Sequence, residues 1–261
     1  MTLAKRIVPA LDIKNGQVVK GVQFENLRSV GDPVTVAKAY EQAGADELVL
    51  LDITATLEER DTMMTIVNAI SSVVFIPLTV GGGIRSTQDM TRLIKAGADK
   101  IFVNSAAVKQ PELITKGAAI FGSQAIVGAI DVKWEPKSKF YQVYVAGGTQ
   151  PTGLNAISWA KEMVALGAGE LLVTSMDADG TKNGYDIDLY QQLTEAVSVP
   201  IVASGGAGKI EDFTALLTQT TVDAALAASV FYPGEIALPQ LKQTLKKKEW
   251  QYVYDNDCTR F

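Results

Sequence analysis

The stretch Val80-Gly81-Gly82-Gly83-Ile84 decides the fold, because a similar run of small residues, Ala203-Ser204-Gly205-Gly206-Ala207-Gly208, occurs later in the chain. The first glycines of the two runs are 124 residues apart (205 − 81), close to half of the 261-residue length. Asp12 and Asp131 show nearly the same spacing, 119 residues (131 − 12), and each ends an apolar run. These spacings predict a chain built from two similar halves.

Short apolar runs rich in β-branched residues alternate with longer segments of helical period along the chain. We expect strands over Ile7–Asp12, Leu48–Ile53, Ile76–Val80, Ile101–Asn104, Ala125–Asp131, Leu171–Ser175, Ile201–Ser204 and Ala224–Ala227. We expect helices near Val34–Gly44, Arg60–Ser72, Thr87–Gly97, Pro111–Phe121, Asn155–Gly167, Ile187–Val197, Ile210–Thr218 and Pro233–Lys246. Strands that alternate with helices in this way pair in parallel.

Eight such units in a chain of this length predict an α/β protein with one closed (β/α)8 TIM barrel. An open, doubly wound sheet is the alternative. The duplication favours the barrel, because the two ends of an open sheet are not equivalent. We therefore expect a single domain over residues 1–261, with half-barrels at about 1–122 and 123–248 and a C-terminal tail at 249–261.

The amino-acid composition argues against several classes of function and of catalytic site. A net charge of −5 and a pI near 4.9 argue against a general nucleic-acid or membrane-surface binder. No apolar run is long enough to span a membrane and the N-terminus lacks a signal region, so we expect a cytoplasmic protein. The chain has no histidine and a single cysteine, Cys258, which excludes Ser-His-Asp triads and the usual zinc sites. We expect no metal and no cofactor.

Asp12 and Asp131 are the candidate catalytic residues. Each is predicted at the C-terminal end of a barrel strand, where TIM barrels carry their active sites. Two carboxylates in unequal environments can divide the roles of general acid and general base. The structural alternative makes them helix caps or ion-pair partners. Asp52 and Asp177 end two further strands and either orient a substrate or cap a loop.

The two glycine clusters are candidate phosphate sites, because glycine lets backbone N–H groups approach an anion. Tight turns alone would be the structural alternative. One site is predicted to combine Ser204, Gly205 and Gly206 with Ala228 and Ser229, and the other to combine Gly83 with Asn104 and Ser105. Together they predict a substrate with a phosphate at each end.

Two further features concern the approach to this substrate. Gly180, in Asp177-Ala178-Asp179-Gly180-Thr181, could line the route between the two phosphate sites. Lys20 lies in the long segment between the first strand and first helix, Lys14–Asp32, which is longer than most βα loops. We expect this segment to be a mobile lid that brings Lys20 to a phosphate, and a solvated hairpin lysine is the alternative.

Charged residues also stand where four strands begin: Arg6, Glu47, Lys100 and Glu170. Strand starts are often charged because they meet water, and the residues alone do not favour a special role for this set.

Several motifs resemble one family over about Lys5 to Lys247, the cyclase subunit of imidazole glycerol phosphate synthase. They are Lys5-Arg6-Ile7 through Leu11-Asp12, Phe24-Glu25-Asn26-Leu27-Arg28 with Gly31-Asp32-Pro33, Leu51-Asp52-Ile53-Thr54-Ala55, Leu78-Thr79-Val80-Gly81-Gly82-Gly83-Ile84-Arg85, Phe121-Gly122-Ser123-Gln124, Thr174-Ser175-Met176-Asp177, Asp179-Gly180-Thr181-Lys182 and Ala203-Ser204-Gly205-Gly206-Ala207-Gly208.

The resemblance implies an enzyme of histidine biosynthesis. It would convert a bis-phosphorylated ribulosyl aminoimidazole carboxamide nucleotide, PRFAR, and ammonia to imidazole glycerol phosphate and aminoimidazole carboxamide ribonucleotide. It also implies that Asp12 is the general base and Asp131 the general acid. A glutaminase would dock at the strand N-terminal face as a heterodimer partner, and Arg6, Glu47, Lys100 and Glu170 would form the gate through which its ammonia enters the barrel.

Four positions depart from the family pattern: Ala10 in place of Cys, Val132 in place of Ala, Ala178 in place of Arg and Tyr232 in place of His. Of these, Ala178 could weaken contacts near the substrate. Three alternatives stay open. The isomerase one step earlier in the pathway shares the duplicated barrel and paired aspartates, and a cyclase-like protein of surface-sugar amination shares the cyclase pattern. A non-catalytic scaffold that binds a glutaminase belongs to a different class, and the presence of both Asp12 and Asp131 speaks against it. The gate residues and the second glycine run favour the cyclase over the isomerase.

Overall fold

Eight parallel strands close into a barrel, which confirms the predicted fold class. The computed structural model describes residues 5–22, 25–53, 57–232 and 235–257. In order around the barrel the strands are β1 (Arg6–Lys14), β4 (Leu48–Asp52), β5 (Leu78–Gly81), β6 (Lys100–Val103), β7 (Ile126–Glu135), β10 (Glu170–Ser175), β11 (Ile201–Ser204) and β12 (Ala224–Ala227). Closure comes from the pairing of β12 with β1 and of β7 with β10.

Helices pack around the outside of the barrel and connect its strands. They are α1 (Pro33–Gln42), α2 (Leu57–Ser71), α3 (Thr87–Ala96), α4 (Ser105–Lys109), α5 (Glu112–Phe121), α6 (Ala156–Ala165), α7 (Ile187–Ala196), α8 (Ile210–Gln219) and α9 (Leu238–Asp257). Residues typical of helix caps mark the start and end of α3. Ser86 caps α3 by accepting a hydrogen bond from Asp89 N, and Gly97 ends it with a left-handed φ of 112°.

The predicted lid segment contains a β-hairpin, which the strand predictions did not include. β2 (Gln17–Val22) pairs antiparallel with the extended end of β1, and β3 (Glu25–Gly31) pairs with β2. The turn between β1 and β2 is Asn15-Gly16, with φ values of 49° and 76°. An Asn-Gly pair at positive φ is typical of a two-residue hairpin turn, so the signal was present in the sequence.

A second antiparallel extension follows the first strand of the second half. β7 continues past Asp131 to Glu135, and β8 (Phe140–Val145) and β9 (Gln150–Asn155) add to it. Alternate residues of β8 are buried, as expected for a strand with one face against the protein. Because β1 and β7 lie four places apart around the barrel, the two extensions stand on opposite sides of its mouth.

The C-terminal region also differs from the prediction. The last helix was expected from Pro233, which lies outside the described residues, and α9 begins at Leu238 and continues to Asp257. Most of the predicted tail is therefore helical, while Cys258 and the residues after it lie outside the described part of the chain. No helix in the described ranges is long and apolar enough to cross a membrane.

The barrel separates two apolar clusters. The larger one lies between the strands and the helices and includes fully buried Leu11, Ile101 and Phe213. The smaller one fills the barrel interior with inward-facing residues. Its buried members are Val8, Ala10, Val49, Phe102, Val127, Ala129, Leu172, Val202, Ala224 and Leu226.

Candidate active site

Asp12 and Asp131 lie on opposite sides of one mouth, at the end of the barrel where the strands finish. Asp12 is on β1 and Asp131 on β7, four strands apart around the barrel. Burial raises the pKa of Asp12 to about 7, and the negative charge of Asp179 adds to the effect. Burial also raises the pKa of Asp131 to about 6. Both carboxyls therefore exchange protons near neutral pH, which suits them to acid–base chemistry.

Asn104 sets the environment of Asp131. Its Nδ2 donates to Asp131 Oδ2 at 2.8 Å, and this hydrogen bond lowers the pKa of Asp131 against the effect of burial. Within the described residues, Asn104 Oδ1 is buried without a hydrogen-bond partner. A buried acceptor at this position is available to an N–H or O–H group of a bound molecule.

Asp179 belongs to the same site, although it was not among the predicted site residues. Its own pKa is raised by burial, and its charge raises the pKa of both Asp12 and Asp131. The backbone of Asp179 is held in the loop after β10 by a 2.9 Å hydrogen bond from its N–H to Ser175 O. The two aspartates of Asp177-Ala178-Asp179 were the available signal, but their spacing did not show which carboxylate faces the mouth.

Asp177 and Asp52 make contacts within the protein at the ends of their strands. Asp177 Oδ2 accepts a 2.7 Å hydrogen bond from the backbone N–H of Trp134, and so ties the loop after β10 to the extension of β7. Asp52 is 7% exposed at the end of β4. Its carbonyl oxygen lies where a side chain at Gly82 would stand, only 2.2 Å from an ideal Cβ.

The two glycine clusters form similar turns at the ends of β5 and β11. Gly82 and Gly83 have φ values of 101° and 65°, and Gly205 and Gly206 have values of 95° and 108°. In both halves a helix aspartate accepts hydrogen bonds from the backbone just before its helix. In α3, Asp89 Oδ2 accepts from Arg85 N at 3.0 Å. In α8, Asp212 Oδ2 accepts from Gly208 N at 2.8 Å. The backbone N–H groups of Arg85 and Gly208 are therefore already used, so an anion would have to bind to the glycine residues that precede them in the chain.

Two of the predicted phosphate-site residues, Ser204 and Ser105, take part in internal contacts, as does Gly180. Ser204 N donates to the buried hydroxyl of Tyr190 at 2.9 Å. Ser105 begins α4, and its Oγ accepts from Ala146 N at 3.0 Å, which brings the β8–β9 turn to the edge of the mouth. Gly180 donates its backbone N–H to the Asp179 carboxylate. Ala228 and Ser229 follow β12, where a single 3-10 turn, Ser229–Phe231, begins.

The backbone of Lys20 lies at the end of the barrel that carries the candidate active site. It lies in β2, which pairs with the extended end of β1, and its Cα partner on β3 is Arg28. The side chain of Lys20 lies outside what the structure describes.

Arg6, Glu47, Lys100 and Glu170 form a closed ring of ion pairs, the charged ring, at the opposite end of the barrel. Arg6 Nη1 donates to Glu47 Oε2 at 2.6 Å, and Arg6 Nη2 donates to Glu170 Oε1. Lys100 Nζ completes the ring with Glu47 Oε2 at 3.0 Å and Glu170 Oε2 at 2.7 Å. Both glutamates are buried, so each needs its cationic partners.

Within the described ranges, no group of three or more Cys, Asp and Glu residues is arranged to hold a metal ion. Fold and site together define a class: a (β/α)8-barrel protein with paired carboxyls at the mouth, two glycine turns beside them, and a charged ring at the far end.

Comparisons with known proteins identify the family. Residues 6–237 match the model of a family described as histidine biosynthesis protein. The imidazole glycerol phosphate synthase subunit HisF of Leuconostoc mesenteroides is 74% identical over 246 residues, which cover 94% of this chain and 97% of that protein. The HisF subunits of Lacticaseibacillus paracasei and Lactiplantibacillus plantarum are 60% and 58% identical, over 94% of this chain and 97% and 98% of their own lengths.

The chain belongs to the HisF family, the cyclase subunits of imidazole glycerol phosphate synthase. The family resemblance seen in the sequence is thereby confirmed, and the isomerase, sugar-amination and scaffold alternatives are not favoured.

Proposed function

We propose that this protein is the cyclase of histidine biosynthesis, and that it converts PRFAR and ammonia to imidazole glycerol phosphate and aminoimidazole carboxamide ribonucleotide. Membership of the HisF family supports this activity. The observation that carries the mechanism is the pair of carboxyls on β1 and β7, whose pKa values are raised to about 7 and about 6 at one mouth. A cytoplasmic location belongs to the same proposal and rests on the biosynthetic role of the family.

Asp12 acts as the general base and Asp131 as the general acid. Their pKa values are close, so protonation in the free protein does not by itself assign the two roles, and the assignment rests on the family resemblance. The Asn104 amide gives Asp131 a partner that Asp12 does not share. This difference supports a division of labour, because two acidic groups need unequal surroundings to act as acid and base.

The two phosphates of the substrate bind to the two glycine turns. Support comes from their positions, since β5 and β11 lie four places apart around the barrel and flank the carboxyls from opposite sides. One phosphate meets Gly83, Asn104 and Ser105, and the other meets Ser204, Gly205, Gly206, Ala228 and Ser229. Gly180 lies between them, and Lys20 closes over the mouth from β2.

Ammonia reaches the mouth through the charged ring from a glutaminase subunit bound at the strand N-terminal face, in a heterodimer. Two observations support a docking surface there. Phe75, in the connection that leads into β5, is 84% exposed, which is unusual for a large apolar side chain. A cavity of about 240 Å³ lies beside it, lined in part by Val74, Pro77 and Asp99.

The test of the activity is a turnover assay on the purified protein. Incubation with PRFAR and an ammonium salt at alkaline pH should consume the substrate without any partner, and Asp12→Asn should abolish this turnover. If the wild-type protein leaves PRFAR unchanged but still binds the glutaminase, the scaffold alternative is correct. Turnover of the isomerase substrate in its place would identify the isomerase.

A further inference from the structure

β6 and the residue that follows it place three inward-facing side chains one after another along the barrel: Lys100, Phe102 and Asn104. Lys100 faces inward because its Nζ completes the charged ring. Asn104, just after the strand, faces inward because it donates to Asp131. Side chains alternate between the two faces of a strand, so Phe102 also points into the barrel. A single strand therefore leads from the charged ring, past an aromatic ring, to the candidate active site.

The phenyl ring of Phe102 lies across the neighbouring strand. Phe102 is 8% exposed and is the one aromatic member of the interior cluster in the described part of the chain. It pairs in register with Gly81 on β5 and Val127 on β7. An ideal Cβ at Gly81 would lie 2.3 Å from two ring carbons of Phe102, so the ring occupies the space that a side chain at 81 would fill.

We propose that the Phe102 ring forms the throat of the barrel interior, a steric constriction between the charged ring and the mouth that admits ammonia in its uncharged form. This inference rests on the proposed delivery of ammonia from the strand N-terminal face. Between Lys100 and Asn104, β6 offers no polar group on its inward face. A charged ammonium ion would lose its hydration there without compensation, whereas ammonia would lose far less.

The size of the residue at position 102 should therefore affect turnover with ammonia from the glutaminase, but not turnover with ammonia from solvent. Ammonia released by the glutaminase must pass the throat, whereas ammonia from an added ammonium salt reaches the mouth directly from solvent. We would measure the ratio of glutamine-dependent to ammonium-dependent turnover of PRFAR, with saturating glutaminase, in the wild type, Phe102→Trp and Phe102→Leu.

In Phe102→Trp the larger ring should lower this ratio about tenfold or more, while ammonium-dependent turnover stays near the wild-type rate. Phe102→Leu is the matched apolar control, and its ratio should remain within about twofold of the wild type. An unchanged ratio in Phe102→Trp, or an equal fall in glutamine-dependent and ammonium-dependent turnover, would show that Phe102 does not form a throat. Wild-type protein that uses ammonium but not glutamine with its glutaminase would instead overturn the proposed partner, and the passage with it.

A second measurement does not depend on the glutaminase. Truncation to Phe102→Ala should leave an apolar space beside Gly81, and crystals of this variant under xenon pressure should hold a xenon atom there, since dry apolar cavities bind xenon. The wild type should hold none at this position. If xenon binds equally in the wild type, or in neither protein, Phe102 does not fill the barrel interior as proposed.

Discussion

Asn104 donates its side-chain N–H to Asp131 across 2.8 Å, and this hydrogen bond ties the end of β6 to the carboxyl on β7. The bond favours the charged carboxylate and lowers its pKa, while burial raises it. Asn104→Leu keeps a similar volume but removes the donor, so the pKa of Asp131 should rise further above about 6.

The measurement is the pH dependence of ammonium-dependent turnover, supported by carboxyl ¹³C NMR of the free protein. The titration of Asp131 should move to higher pH in Asn104→Leu. The exposed Asn68 on α2 provides the control, because Asn68→Leu should leave both profiles where they are. A profile that is unchanged in Asn104→Leu would show that this hydrogen bond does not tune Asp131.

The raised pKa of Asp12 predicts how stability varies with pH. A carboxyl whose folded-state pKa is about 7, above its ordinary 3.8, holds its proton more tightly in the folded protein. It therefore contributes stability that is complete below about pH 4 and is lost as the pH rises through about 7. Asp12→Asn should remove this dependence and stabilise the protein at pH 8 by roughly 2–4 kcal/mol relative to the wild type.

Chemical denaturation at several pH values between 4 and 9 tests this expectation. Asp32 is a useful contrast, because its hydrogen bonds with Thr35 at the start of α1 lower its pKa. Its contribution has the opposite sign, present above the ordinary pKa and lost on acidification. If Asp12→Asn follows the wild-type curve in parallel from pH 4 to 9, Asp12 is ionised throughout and the burial effect is absent.

Most of the barrel could be predicted from the sequence, because its strands and helices have different apolar periods and its halves repeat. What the prediction missed lies at the mouth. The Asn15-Gly16 turn was visible, but the β8–β9 extension depends on burial of one face against the rest of the protein. Asp179 was missed for a related reason: only the folded loop after β10 turns Asp177 toward Trp134 N and leaves Asp179 near the two carboxyls.

The charged ring should be sensitive to the loss of either cation. Lys100→Met would leave buried Glu47 and Glu170 with Arg6 as their remaining ring partner, so two negative charges would share one cation. Breaking a buried ion pair from one side typically costs about 3 kcal/mol in unfolding free energy. Urea denaturation measures this cost. The exposed Lys116 on α5 supplies the control, since Lys116→Met should change stability by less than about 0.5 kcal/mol. Equal effects of the two changes would mean that the ring adds no special stability.

Tyr232 stands where the family commonly has His, and it connects β2 to the surroundings of Asp12. Its hydroxyl donates to Val19 O at 3.4 Å, and Val19 is the residue that pairs with Asp12 across β1 and β2. Burial and the charge of Asp12 both raise the pKa of Tyr232, so the hydroxyl keeps its proton. Tyr232→Phe should lower the unfolding free energy by about 1 kcal/mol.

The same variant should also make the hairpin backbone near Val19 exchange its amide protons faster. Tyr40→Phe is the matched control, because the neighbouring Tyr40 hydroxyl is buried without a hydrogen-bond partner in the described residues. Removing that hydroxyl should be neutral or slightly stabilising. Hydrogen exchange that is unchanged at Val19 in Tyr232→Phe would exclude the proposed connection.

Gly206 should tolerate no side chain. Its φ of 108° is unfavourable for other residues, and an ideal Cβ would lie 2.0 Å from Gly184 O, a backbone atom that cannot move aside as a side chain would. Gly206→Ala should therefore lower the unfolding free energy by roughly 3 kcal/mol and weaken the binding of inorganic phosphate at this turn. Gly44 is the control that distinguishes backbone strain from a steric clash. Its φ is 89°, but no atom lies within 4 Å of its ideal Cβ. Gly44→Ala should cost about 1 kcal/mol and leave phosphate binding unchanged. Thermal unfolding with and without phosphate compares the two variants, and similar losses in both would mean that the loop at Gly184 yields to the added methyl group.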